Sequence, residues 1–275
     1  MSTYQPGSEQ GLPEAAVRRL KQMRGTGTSP TLFTSDLSIN EFLLVKQAGF
    51  DPVGLVMGSS IYHIGFQMAG QYQNMEMDIL TQAMYHAREL AMDRMEEEAD
   101  ILGADGVVGV RLIVNQQQWG ENLAEFMAIG TAIKSRNGEN WRTPDNRPFT
   151  SDLSGQQFWT LLQTGYRPVA LAMGTCVYHV AHQGFMQMLK RIGRNVEMEN
   201  YTQAIYDARE LAMSRMQAEA ERAGATGIVG TRVVEASHGW GSHVIEFFSV
   251  GTAVREHHVD HVPAAPSTVL PLVDF

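Results

Sequence analysis

Apolar residues recur at Leu80, Met84, Ala87, Ala91, Met95, Ala99 and Leu102, a three-and-four spacing that lines one face of a helix. The stripe predicts a helix over residues 77–102, about 38 Å long at about 1.5 Å per residue. It stops at Gly103. Upstream, Ser38 and Glu41 have capping-box spacing and predict a short helix with Phe42, Leu43 and Val45 on one side. Gly49 stands where the C-terminal cap of that helix belongs. Past Pro52, residues 53–64 are rich in β-branched and aromatic residues, with an early glycine, and predict a strand. Strands over 107–114 and 123–133 follow, joined by a turn containing Trp119-Gly120. The unit reads α-β-α-β-β, a small sheet with one long helix across it.

The same pattern occurs twice. Phe33-Thr34-Ser35-Asp36-Leu37-Ser38 returns as Phe149-Thr150-Ser151-Asp152-Leu153-Ser154, and Met57-Gly58 and Tyr62-His63 as Met173-Gly174 and Tyr178-His179, at an offset of 116. Beyond a five-residue insertion, Ala87-Arg88-Glu89-Leu90-Ala91-Met92 pairs with Ala208-Arg209-Glu210-Leu211-Ala212-Met213. Ser154 and Gln157 repeat the capping box, and Gly165 and Gly224 repeat the helix stops. Two copies are too few for a solenoid, so the chain is a tandem duplication. The expected division is an arm over 1–31, a first unit over 32–134, a linker over 135–147, a second unit over 148–255 and a tail over 256–275. The arm is expected to be flexible but for a short basic helix after Leu12 carrying Arg18, Arg19, Lys21 and Arg24, able to recruit anionic cargo or membrane or to anchor assembly. The linker, with Asn137-Gly138-Glu139-Asn140 and Thr143-Pro144-Asp145-Asn146, is polar and turn-rich.

Three strands and one long helix bury little surface alone, and both edges of the sheet need cover. Self-association would supply both.

Composition narrows the possibilities. Of 275 residues 44% are apolar and 19% charged, with no apolar run near the ~18 residues of a membrane span. The N-terminus shows no signal-peptide pattern, so a cytoplasmic protein without stable membrane insertion is expected. A net charge of −9 speaks against nucleic acid as a partner. That charge is uneven: residues 33–134 carry −9 and residues 135–255 carry +1, which helps keep the copies in distinct positions of an assembly. A lone cysteine, Cys176, excludes an intrachain disulfide and a four-cysteine zinc site.

Leu102-Gly103-Ala104-Asp105-Gly106-Val107-Val108-Gly109-Val110, with Ala87-Arg88-Glu89-Leu90-Ala91 before it and Gly130-Thr131-Ala132-Ile133-Lys134 after it, resembles the YbjQ-like family, also called the putative heavy-metal-binding domain family. Copy two carries the pattern as Ala223-Gly224-Ala225-Thr226-Gly227-Ile228-Val229-Gly230 and Gly251-Thr252-Ala253-Val254. The resemblance implies a dodecin-like β-α-β-β subunit in five-fold rings and no established reaction. The fold class expected is therefore α+β, two tandem copies of that unit, each with an extra short N-terminal helix.

Candidate chemistry is sparse. Tyr62-His63 and Tyr178-His179 end a strand in each copy, and Cys176 would help a metal site in copy two alone, since Ser60 holds its place in copy one. A half-buried aromatic pair at a strand or subunit edge is the favoured role, because neither copy supplies a second histidine and a carboxylate at ligand spacing. Arg88-Glu89 and Arg209-Glu210 point about 100° apart on a helix and read as exposed interface salt bridges. Glu96-Glu97-Glu98 reads as a solvated helix end, open to a basic neighbour across an interface. The 16 methionines suit an adaptable oligomer interface better than a soft-metal site. The glycines after Leu102 lie between helix and strand, the reverse of a phosphate loop. His257-His258-Val259-Asp260-His261 is the densest ligand set but belongs to a tail whose apolar end, from Val269 to Phe275, docks on a neighbouring subunit or a partner such as cargo. No catalytic motif or cofactor loop is present in the sequence. The favoured function is a non-enzymatic, self-assembling protein whose domains each form five-fold rings, tethered into a hollow shell. A metal- or small-ligand-binding homo-oligomer with sites between subunits is the alternative.

Overall fold

A computed structural model describes residues 11–25, 32–63, 74–116, 123–180, 199–236 and 244–257. The first unit contains α1 (Glu14–Arg24), α2 (Ile39–Gln47), β1 (Phe50–His63), β2 (Met75–Glu76), α3 (Asp78–Leu102), β3 (Gly106–Gln116) and β4 (Leu123–Ser135). The second contains β5 (Phe149–Thr150), α4 (Gly155–Gln163), β6 (Tyr166–His179), α5 (Glu199–Arg222), β7 (Gly227–Ala236) and β8 (Val244–Glu256). Two four-stranded sheets result, ordered β1-β4-β3-β5 and β2-β6-β8-β7. The α+β class and the repeated helix and strand unit are both present.

Local sequence explains the elements. Ser38 and Ser154 each accept the N–H three residues on, while Glu41 and Gln157 reach back to the capping residue. Strand β1 starts at Phe50, three residues before the predicted start, because Pro52 falls at a register shift against β4, where its missing N–H removes no ladder bond. Pro168 repeats this in β6. Gly109 and Gly230 adopt φ of 66° where β3 and β7 slip register against β4 and β8, a bulge that a side chain would strain.

Helix α3 lies across β1 at Gly58, where a Cβ would stand 2.0 Å from the Ala91 carbonyl oxygen. Gly174 meets Ala212 on α5 at the same 2.0 Å. Above each glycine a helix carboxylate reaches the sheet: Glu98 accepts from the Met57 N–H at 3.1 Å and Glu219 from the Met173 N–H at 2.9 Å.

The helix of the arm is docked: Leu20 is fully buried, and Arg19 donates to both Glu98 oxygens at 3.0 and 3.1 Å. One expectation is corrected. The glutamate run is not a solvated end, since Glu98 is buried there and Glu96 pairs with Arg147 at 2.7 Å. The linker is polar in composition yet seats Trp141 in a cluster with Phe50, Phe149 and Phe158. The Trp119-Gly120 turn, the insertion in copy two and the apolar C-terminus lie outside the described residues.

Candidate assembly interface

The two units share a contact built from an exchange of strands. Residues 149–153 of unit two run along the free edge of β3: β5 pairs parallel to it, and the Ser151 and Gly109 N–H groups donate to Val107 and Leu153 carbonyls, both at 2.9 Å. The Phe149 ring covers Gly106, where a Cβ would come within 2.2 Å of it. In return, β2 of unit one pairs antiparallel with the end of β6, and Glu76 holds Arg215 at 2.5 and 2.9 Å. Burial alone would raise the Glu76 carboxyl, but the Arg215 guanidinium outweighs it and keeps it below the usual range.

Between these strands α3 is sandwiched, with its own sheet on one side and the outer face of β6 and β8 on the other. Leu171, Met173, Val177, Val244 and Val250 of unit two join the core of unit one there. The Thr81 hydroxyl accepts the Val177 N–H at 2.9 Å. At the centre Arg88 donates to Glu246 at 2.7 Å and to the Thr175 hydroxyl at 2.9 Å, and its guanidinium lies 4.1 Å from the Phe248 ring centroid. The sequence places Arg88 in an exposed interface salt bridge; the structure keeps the interface and buries the pair, with 4% and 1% side-chain exposure. Arg209, its counterpart, does form an exposed pair with Glu210, at 3.1 Å. Nothing local distinguishes the two, because the partner of Arg88 lies 158 residues away.

Carboxyls beside this junction carry the pH dependence. Burial pushes Glu96 up to about 7 against the pull of Arg147, with Asp93 and Glu219 as like-charged neighbours. Burial likewise pushes Glu219 up to about 7 against the Met173 N–H, with Glu89 opposing its charge. Carboxyls raised on folding favour the folded chain when protonated, so stability falls as pH rises from 4.5, their ordinary value, through 7. The thermal midpoint is expected to be lower at pH 7.5 than at pH 5.5, with Glu96→Gln removing part of the difference. Equal midpoints in scanning calorimetry would show that these groups ionise as in the open chain.

The predicted ligands do not converge. His63 is exposed, and Tyr62 is half-buried with its ring edge-on to His86, 6.1 Å away. Cys176 and His179 are buried on β6, and burial, then the Glu76 charge, pushes the thiol up to about 12, whereas a metal takes the thiolate. His257 turns inward, 4.8 Å from the Trp141 ring and 3.5 Å from Glu139; His258 and His261 lie outside the described residues. Among the described residues no three His, Cys, Asp or Glu side chains come together as metal ligands. No described helix is long and apolar enough to cross a membrane.

These features can be set beside known proteins. An encapsulin nanocompartment protein, Rv1762c of Mycobacterium tuberculosis strain H37Rv, is 54% identical over 241 residues, covering 87% of this chain and 92% of that protein. A UPF0145 protein of Clostridium perfringens is 38% identical over 85 residues, 29% of this chain and 78% of its own length. One from Halorubrum lacusprofundi is 35% identical over 106 residues, 37% of this chain and 99% of its own length. The YbjQ family model, described as "Putative heavy-metal-binding", matches residues 53–136 and again 169–257. The described residues do not fit the metal in that description: burial works against the Cys176 thiolate, and no three His, Cys, Asp or Glu side chains among them come together. With both sheets matched and the strand exchange joining them, the chain belongs to the YbjQ family as a tandem of two family domains.

Proposed function

We propose that this chain is the subunit of a hollow, self-assembling protein compartment and has no catalytic role of its own. The observation that carries the reading is the 54% identity, over 87% of the chain, to a protein named as an encapsulin nanocompartment. The physical support is the contact between units, in which sheet edges and a long helix find cover only in a second unit. Five-fold rings formed by each domain, linked through the tandem connection into a shell, are the arrangement in keeping with the family resemblance. The division into arm, two units, linker and tail, the cytoplasmic location and the engagement of cargo by the terminal segments belong to the same proposal.

Mass photometry and electron microscopy of the purified full chain test it. The expected result is closed, hollow particles with five-fold views, on the order of 60 chains under icosahedral closure. A stable monomer or dimer at micromolar concentration overturns the reading.

A further inference from the structure

Each unit carries both halves of the contact between units, and among the described residues only one of each is used. Unit one offers α3 and the β3 edge; their counterparts in unit two are α5 and the β7 edge. Unit two receives with the outer face of β6 and β8 and with residues 149–153. Their counterparts in unit one are the outer face of β1 and β4 and residues 33–37.

Burial separates the used halves from the unused ones. Arg88 has 4% of its side chain exposed and Arg209 39%. Met173 and Val177 are 3% and 0% exposed, against 45% and 54% for Met57 and Ile61. Phe149 is 1% exposed and Phe33 44%. Gly106 is pressed by the Phe149 ring, whereas a Cβ at Gly227 would meet nothing nearer than Val254, at 3.8 Å. A groove of about 580 Å³, lined by Met213, Ala220 and Ile228 among others, runs beside Gly227.

The Phe33 segment already has the posture its counterpart uses. Asp36 is held by Arg111 and Thr131 at 2.6 and 2.5 Å, as Asp152 is by Arg232 and Thr252 at 2.9 and 2.6 Å. The Leu55 N–H donates to Thr34 as the Leu171 N–H does to Thr150, at 3.2 and 3.0 Å. Among the described residues no strand pairs with the far side of the segment.

We propose that the unused halves meet between copies of this chain: α5 and the β7 edge of one copy take the outer β1–β4 face and the Phe33 segment of the next. Arg209 then reaches Glu125 and Ser59, the counterparts of Glu246 and Thr175, and Phe33 covers Gly227. The contact is heterologous, so it propagates until it closes. It deepens the compartment reading and rests on it. Because the two units alternate along such a path, a closed ring holds whole chains and equal numbers of the two units.

Charge reversal and cross-linking of the full chain test this contact. Arg209→Glu and Glu125→Arg are each expected to lower the fraction of chains in particles at least about tenfold by mass photometry, and the two together to restore it. Phe33→Cys with Gly227→Cys occupies positions equivalent to the register partners Phe149 and Gly106, within reach of a disulfide. Oxidation is expected to give a ladder of linked chains on denaturing gels that either single cysteine lacks. Where reversal and cross-linking disagree, the ladder decides, since a reversed charge can act through folding. Wild-type particles without a ladder overturn the contact and leave the compartment reading standing. A ladder that stops at dimers shows an isologous contact and overturns the head-to-tail order. A wild-type chain that stays monomeric overturns the compartment reading itself.

Discussion

Arg88→Ala is expected to destabilise the folded chain by about 3–5 kcal/mol, read by equilibrium urea denaturation. The change leaves the Glu246 carboxylate, 1% exposed, without the cation 2.7 Å away, and strips the Thr175 hydroxyl and the Phe248 ring of their partner. A charge removed from water and left unpaired costs far more than the pair gained in forming. Two controls separate this cause from general damage. Arg88→Met with Glu246→Leu, which leaves no charge behind, is expected to recover most of the loss. Arg209→Ala, at the same helix position but exposed, is expected to change the stability of the unassembled chain by less than about 1 kcal/mol. Equal losses for Arg88→Ala and Arg209→Ala would mean that burial of the pair contributes nothing.

Gly58→Ala and Gly174→Ala are expected to cost about 1–3 kcal/mol each, a fall of about 2–4 °C in thermal midpoint per kcal/mol for a chain of this size. A methyl at either position would stand 2.0 Å from a helix carbonyl oxygen, with a backbone nitrogen of the same helix at 2.5 Å for Gly58 and 2.7 Å for Gly174. No flexible side-chain end is there to move aside, so the helix must lift from its sheet. Lifting also stretches the bonds from Glu98 to the Met57 N–H and from Glu219 to the Met173 N–H. Gly138→Ala serves as a control for glycine replacement, having open space around it but a φ of 73°. Its smaller penalty is backbone strain alone. Unchanged midpoints for Gly58→Ala and Gly174→Ala would show that helix and sheet are not in contact through these glycines.

What could be read from the sequence was set by distance along the chain. The capping boxes, the stripe of α3 and the helix-ending glycines depend on neighbours within a few residues, and all stand where their spacing puts them. Pro52 misplaced the start of β1, because proline reads as a break until the partner strand shows the bulge that accommodates it. Trp141 sat unnoticed in a polar linker, its cluster being drawn from both units. The close approach at Gly58 and Gly174 had a visible signal: a glycine repeated at mid-strand in both copies marks a place where another backbone comes near. Arg88 and Arg209 had none, since identical flanking residues give one a buried partner and the other a solvated one. The difference lies in which unit comes first.

That order also has a bearing on synthesis. Unit one leaves the ribosome with the β3 edge complete at Gln116 and open until Phe149 follows. At about 5–20 residues per second the interval is roughly 2–7 s, during which a bare edge can pair with any strand nearby. Residues 149–153 win that competition by being tethered, since a short linker holds them at an effective concentration on the order of millimolar. Among the described residues the edge of β7 has no strand paired to it from within the chain. Translation thus seals the first edge from within the chain; under the proposed contact a separate molecule fills the second, and concentration then governs assembly but not the folding of the subunit.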